Sequence, residues 1–264
     1  MTTERQVFVH PSKAALASAV AARFLTKLRD ILDNQAIAHT VLTGGMIGIA
    51  VLAEVAASPA HRAIDWSRVH LWWGDERWLP AGDAERNDHQ ARLALLSVLS
   101  SERMGPLRLP EHNIHPFPTS DSGLTLDAAA EAYTAELEAF ASVGHTHPPF
   151  DITFLGVGPD GHIASLFPHR SGIRVTDRNV IPVVNAPKPP PERLSLTRPV
   201  LCCSKRIWLV LAGADKASVL GLALGGASRD EVPVAGIRGR RRTVFFVDQD
   251  AAAEVPPELI ARSY

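Results

Sequence analysis

The sequence predicts an α/β fold: a mostly parallel sheet with helices on both faces, in a single domain over residues 1–264. Three observations carry this. Short apolar runs rich in β-branched and aromatic residues alternate with longer segments whose apolar positions recur near every 3.6 residues. Four polar clusters, at 43–45, 75–77, 160–162 and 215–216, each follow such a run. That is the pattern of loops at the carboxyl ends of buried parallel strands. No internal repeat, low-complexity tract or composition break divides the chain.

Taken in order, Arg5–Val9 reads as the first strand. Ser12 is placed to cap a helix running to about Asn34, with Leu16, Val20, Phe24, Leu28, Ile31 and Leu32 on its buried face. His39–Leu42 is a strand and Ile47–Ala57 a helix; Val69–Trp73 is a strand and Gln90–Leu99 a helix. Residues 101–122 form a loop rich in proline, with Asn113–His115 as a short edge strand, and Leu124–Ala141 is a helix. Phe150–Leu155 is a buried strand, and Ile163 opens a short helical turn that Pro168 ends. Val180–Val184 is a strand, 185–192 a proline-rich loop, and Arg193–Thr197 carries basic and hydroxyl groups at alternate positions. Pro199–Cys203 is a short helix and Arg206–Leu211 a strand; Asp215 caps a helix to about Leu224. Val232–Ile237 is a loop, Thr243–Val247 the last strand, and Asp248 opens a C-terminal helical region.

The composition, 46% apolar and 21% charged with net charge −1, is ordinary globular composition. It gives no bulk electrostatic case for nucleic acid or a membrane surface. No apolar run approaches the roughly 20 residues of a membrane-spanning helix, and no signal-type segment opens the chain, so a cytoplasmic location is expected. Cys202 and Cys203 are the only cysteines; adjacent thiols rarely bridge, so both are read as reduced. His145 and His147 have no carboxylate or thiol partner at ligand spacing, so no metal site is expected.

The chemistry concentrates at the strand ends. In Gly156–Pro168 three glycines and Pro159 force a loop that carries Asp160 and His162, side chains suited to moving protons near neutral pH. Thr43-Gly44-Gly45 leads into a helix, where glycines admit an anion close to the backbone and free N–H groups point at it. Lys216 falls in a helix's first turn, where the dipole disfavours a cation and a bound phosphate would suit it. Asp75-Glu76-Arg77 adds charge at the same sheet edge. Each cluster alone also reads as an ordinary polar turn; together they fit a phosphorylated small substrate with acid–base chemistry at another of its atoms.

These motifs resemble the 6-phosphogluconolactonase family: Thr43-Gly44-Gly45, Gly74–Arg77 with Pro80 and Asn87, the run Gly156–Pro168, Pro191–Leu196 and Gly213–Lys216, in the family's order. The resemblance implies a sugar-phosphate isomerase-like, modified Rossmann-type domain and no cofactor. It also implies hydrolysis of 6-phosphogluconolactone to 6-phosphogluconate in the pentose phosphate pathway. The expected partner is the small sugar-phosphate lactone alone, and the expected state a monomer or weak dimer. His162 is the candidate base, with Asp160 and Asp75 as the other catalytic candidates. Thr43, Gly44, Gly45, Arg77, Asn87, Arg193 and Lys216 are the candidate substrate- and phosphate-binding residues. Met46 stands where the family often has Ser or Thr, and Arg86 where Ser is common. Two competing readings are an isomerase or deaminase on the same fold, which carries a further acidic residue near the histidine, and a non-catalytic sugar-phosphate sensor. A serine hydrolase is disfavoured because no Gly-x-Ser-x-Gly elbow occurs.

Overall fold

A computed structural model describes residues 4–260. Six strands form one parallel sheet: β1 (Glu4–His10), β2 (Ala38–Leu42), β3 (Val69–Trp73), β5 (Ile152–Gly156), β8 (Arg206–Leu211) and β9 (Arg242–Asp248). Their spatial order is β1-β9-β8-β5-β2-β3. From β2 the chain winds outward to β3, and from β5 the other way to β8 and β9. The β2–β5 junction is therefore the topological switch point, where an open α/β sheet leaves a crevice at its carboxyl edge.

Helices cover both faces. Ser12 accepts the amide of Ala15 at 3.2 Å and starts α1 (Lys13–Asn34), whose apolar positions are buried as the periodicity predicts. Phe24 of α1 meets Phe154 of β5 edge-on with centroids 5.2 Å apart. α2 (Gly45–Ala57) packs beside α1 on this face. On the other face lies α5 (Leu126–Ala139), capped by Thr125. Its Tyr133 donates to His115 O at 2.9 Å and stands edge-on to Trp72 of β3. Between β3 and α5, a helical segment starts as α3 (Asn87–Ala91), widens to a π-helical turn at Arg92–Leu96 and ends as α4 (Ser97–Leu99).

A second sheet departs from the expectation. β4 (Asp75–Arg77), β7 (Arg193–Leu196) and β6 (Val180–Val183) form a three-stranded antiparallel sheet in the order β4-β7-β6. The cluster Asp75-Glu76-Arg77 is thus itself a strand and not a loop, and the alternation in Arg193–Thr197 is the period of a strand.

Other expectations are corrected locally. Ile163 opens no helical turn: Ala164 sits at φ 48°, in the left-handed region, and single bridges tie Ile163 to Val157 and Leu166. Asp215 does not cap a helix. Both carboxylate oxygens of Asp248 hold the amide of Gly213 and set a 3-10 turn over Ala214–Lys216, so α7 (Ala217–Leu224) starts after Asp215. Pro233–Gly236 is a 3-10 turn, Asp248 opens turns rather than a helix, and Asn113–His115 contributes one bridge, Ile114 to Leu71. The short helix near Pro199 is α6 (Arg198–Cys202).

Candidate active site

A cavity of about 290 Å³ opens at the β2–β5 switch point. Every sequence-predicted site residue except Asp160 lines it: Thr43, Gly44, Gly45, Asp75, Arg77, Asn87, His162, Arg193 and Lys216. Asp160 lies directly behind this wall.

The loop after β5 pairs Asp160 with His162: Oδ1 of the carboxylate is 2.5 Å from Nδ1 of the imidazole and also accepts the His162 amide at 3.3 Å. A carboxylate only accepts, so the proton sits on Nδ1 and the neutral ring keeps Nε2 as its acceptor. Burial works against the Asp160 anion, but the hydrogen bond from His162, and the ring's charge when it is protonated, outweigh it and hold the carboxyl down at about 2. Phe167 fixes the ring from one side, with centroids 4.7 Å apart. Phe167 also lies 5.6 Å below the guanidinium carbon of Arg193, so one aromatic ring braces both groups.

Asp75 is buried and accepts the hydroxyl of Ser165 at Oδ2, 2.6 Å away. The Ser165 amide donates to Ser195 Oγ at 3.2 Å, and Ser195 is the antiparallel partner of Asp75. The loop after His162 is thereby tied to the second sheet. Next to it, Glu76 accepts three amides, from Arg77, Asn87 and Asp88, at 2.7–2.9 Å. Burial pushes its carboxyl above the usual carboxylate range, against the pull of Arg86 and of the Asn87 and Asp88 amides. Arg86, whose side chain is 0% exposed, donates to Asp88 and to the carbonyls of Leu79 and Phe117. It faces this buried framework and is not among the cavity-lining residues.

Asn87 belongs to the same framework. Its amide donates to Asp75 O at 3.0 Å, and its carbonyl lies so close to Gly44 that a Cβ there would come within 1.9 Å. Any side chain at residue 44 would have to displace the Asn87 amide. Thr43 Oγ accepts the amide of Gly156 at 3.1 Å, stapling the two switch-point loops while its own hydroxyl hydrogen stays available. Met46 lines the cavity mouth and is 81% exposed.

The cations differ in freedom. Arg193 spends three N–H groups on the carbonyls of Lys188, Pro189 and Pro190, which shapes the proline-rich loop. Arg77 donates one to Glu85 O. Lys216 pairs with Asp215 at 2.5 Å. Sequence reasoning missed Ser165, Ser195 and Glu76 as supports, and Lys13 and Lys188 as lining residues. The hydroxyl alternation around Ser195 was the one visible signal. Among the described residues no three His, Cys, Asp or Glu side chains cluster as metal ligands would.

A family model described as glucosamine-6-phosphate isomerases/6-phosphogluconolactonase matches residues 11–246. The chain belongs to this family. It is 48% identical over 264 residues to the 6-phosphogluconolactonase of Streptomyces coelicolor, covering 98% of each chain. It is 41% identical over 258 residues to that of Mycobacterium tuberculosis, covering 97% of this chain and all of the relative. The crystal structure of 6-phosphogluconolactonase from Thermotoga maritima superposes with a TM-score of 0.78 at 25% identity, covering 93% of this chain and 100% of that one. Family membership and these relatives make the chain an enzyme of the lactonase branch. Among the described residues none of its helices is long and apolar enough to cross a membrane.

Proposed function

We propose that this chain hydrolyses 6-phospho-D-glucono-1,5-lactone to 6-phospho-D-gluconate, the lactone-opening step of the oxidative pentose phosphate pathway, with His162 as general base. The observation that carries the mechanism is the 2.5 Å contact between Asp160 Oδ1 and His162 Nδ1, which leaves Nε2 as the acceptor on a cavity-lining ring. Nε2 takes a proton from water as the water oxygen bonds to the lactone carbonyl carbon. The carbonyl oxygen becomes an oxyanion, which the guanidinium of Arg77 or Arg193 stabilises. When the intermediate collapses, the carbon–ring-oxygen bond breaks. The leaving ring oxygen takes the proton from the imidazolium and becomes the free hydroxyl of the product. Asp160 holds the tautomer and stabilises the imidazolium without itself taking the proton.

Asp75 is held in place by Ser165 and orders the hydrogen-bond network around the sugar. The phosphate sits on the backbone of Gly44 and Gly45 at the start of α2, with the Thr43 hydroxyl and Lys216. Asn87 supports this loop from behind. The deciding experiment is a coupled assay on freshly made 6-phosphogluconolactone, corrected for spontaneous hydrolysis. A rate above background, proportional to enzyme and unchanged by a chelator, is expected. A rate equal to spontaneous opening would sink the reading.

A further inference from the structure

The cavity has two cationic ends, and the strand order tells them apart. Lys13 follows β1 and Lys216 follows β8, on one side of β5. Arg77 and Arg193 lie on β4 and β7 of the second sheet, whose β4 follows directly on β3, the strand beyond β2. His162, in the loop after β5, stands between them. Lys13 and Lys216 come from segments more than 200 residues apart in sequence, yet both line the one cavity.

Lys13 is the first residue of α1, and Lys216 immediately precedes α7. Both stand at helix ends whose unpaired N–H groups carry partial positive charge, and neither helix has an acidic residue in its first turn. Each lysine is therefore disfavoured by its own helix unless an anion lies in front of it. The charge of Lys216 is partly met by Asp215. A phosphate monoester carries between one and a half and two negative charges at pH 7. Lys216 is already paired with a carboxylate, and Lys188 from the proline-rich loop, which also lines the cavity, acts on that same carboxylate, so an unpaired ammonium still adds to the match. Lys13 is exposed and makes no ion pair among the described residues, so its ammonium is available.

We propose that Lys13 is a further substrate-binding residue, which contacts the phosphate of the lactone from the side opposite the Gly44-Gly45 backbone and closes the phosphate end of the cavity together with Lys216. This rests on the lactonase reading above. It also sets the direction in which the substrate lies: phosphate between the Gly44-Gly45 turn and the two lysines, carbonyl toward His162 and the arginines. Lys13 touches no reacting atom, so its contact is equal in ground and transition states and appears in KM.

The test compares wild type, Lys13→Gln, Lys13→Arg and Lys27→Gln on 6-phosphogluconolactone and on unphosphorylated gluconolactone. Lys27 lies about 20 Å further along the same helix and carries the same charge, so its variant controls for loss of one positive charge at long range. Lys13→Gln should raise KM for the phosphorylated lactone about tenfold, the scale of one charged hydrogen bond, and leave its kcat within about twofold. Its kcat/KM on gluconolactone should not change, and Lys13→Arg should restore most of the affinity. An unchanged KM, a loss shared by both lactones, or the same effect from Lys27→Gln overturns the proposal. If wild type opens neither lactone, the activity reading has failed on its own. Calorimetric titration with 6-phosphogluconate then decides Lys13, because equal affinity of wild type and Lys13→Gln overturns its role.

Discussion

The ring of His162 fills the space that a side chain on Gly158 would occupy: a Cβ at Gly158 would lie 2.0 Å from His162 Nδ1 and 2.5 Å from Asp160 Oδ1. The Gly158 amide in turn donates to His162 O at 2.9 Å, so backbone and ring are locked together in one turn. Gly158→Ala must push the imidazole off the carboxylate. Both are side-chain ends that can swing away, so the fold should survive while kcat falls on the scale of a lost general base, about 10²–10⁴-fold. A folded Gly158→Ala enzyme with wild-type kcat would show that the ring is not needed in this position.

His162→Asn tests the base itself. The amide keeps the approximate size and loses proton acceptance, so kcat should drop by about 10²–10⁴-fold, roughly 3–5 kcal/mol in the barrier, with KM little changed. A folded variant within about threefold of wild type, well short of that range, would move the role to Asp75 or Asp160.

Lys216→Ala should act mainly on KM for the phosphorylated lactone, because a phosphate contact is made equally before and during reaction. Unphosphorylated gluconolactone should be a poor substrate for the wild type. Equal kcat/KM for the two lactones would remove the phosphate end of the cavity from the mechanism.

Far from the cavity, His39, His70 and His115 stack beneath Trp72 as buried rings. Trp72 donates to His39 Nδ1 at 3.1 Å, and His115 bridges His70 and Glu136. Burial, then the charges of its neighbours His70, His115 and Lys205, push His39 down to about 3. Burial, then His115 and His112, push His70 down to about 4. Unfolded, both titrate near 6.5. Above that pH neither state holds the protons, and this stability is fully present. Below it the unfolded chain binds protons that the folded one refuses, so stability is lost as pH falls from about 6.5 toward 4 and 3, at up to about 1.4 kcal/mol per pH unit per histidine. Urea midpoints at pH 7.5 and 4.5 check this: the midpoint should fall, and His70→Phe should flatten the fall. A midpoint that rises on acidification would contradict it.

Much of the main sheet was legible because its strands are buried on both faces and read as apolar runs, while α1 carries an unbroken helical period. The Asp160–His162 loop was legible because its partners lie two residues apart. The contact between them was not, since only the positions of Gly158 and Phe167 bring the rings into place. The second sheet escaped for a different reason. β6 was legible as a strand and β7 showed its alternation, but β4 is three residues long and its partner β7 lies more than a hundred residues away, so no local period announces β4 or the pairing. Arg86 reads as a surface charge in sequence, and only the carbonyls of Leu79 and Phe117 with the carboxylate of Asp88 reveal it as an interior prop.

Among the described residues β1 pairs within the main sheet with β9, Glu4 beside Arg242 and His10 beside Asp248. Joining these two strands closes a stretch of more than 200 residues. Closing so long a stretch of chain is entropically costly and slow, and an unpaired apolar strand invites the wrong neighbour meanwhile. α1, which follows β1, packs on α2 and β9 as well as on β1, so the lysine at its start is set in place by elements from both ends of the sequence.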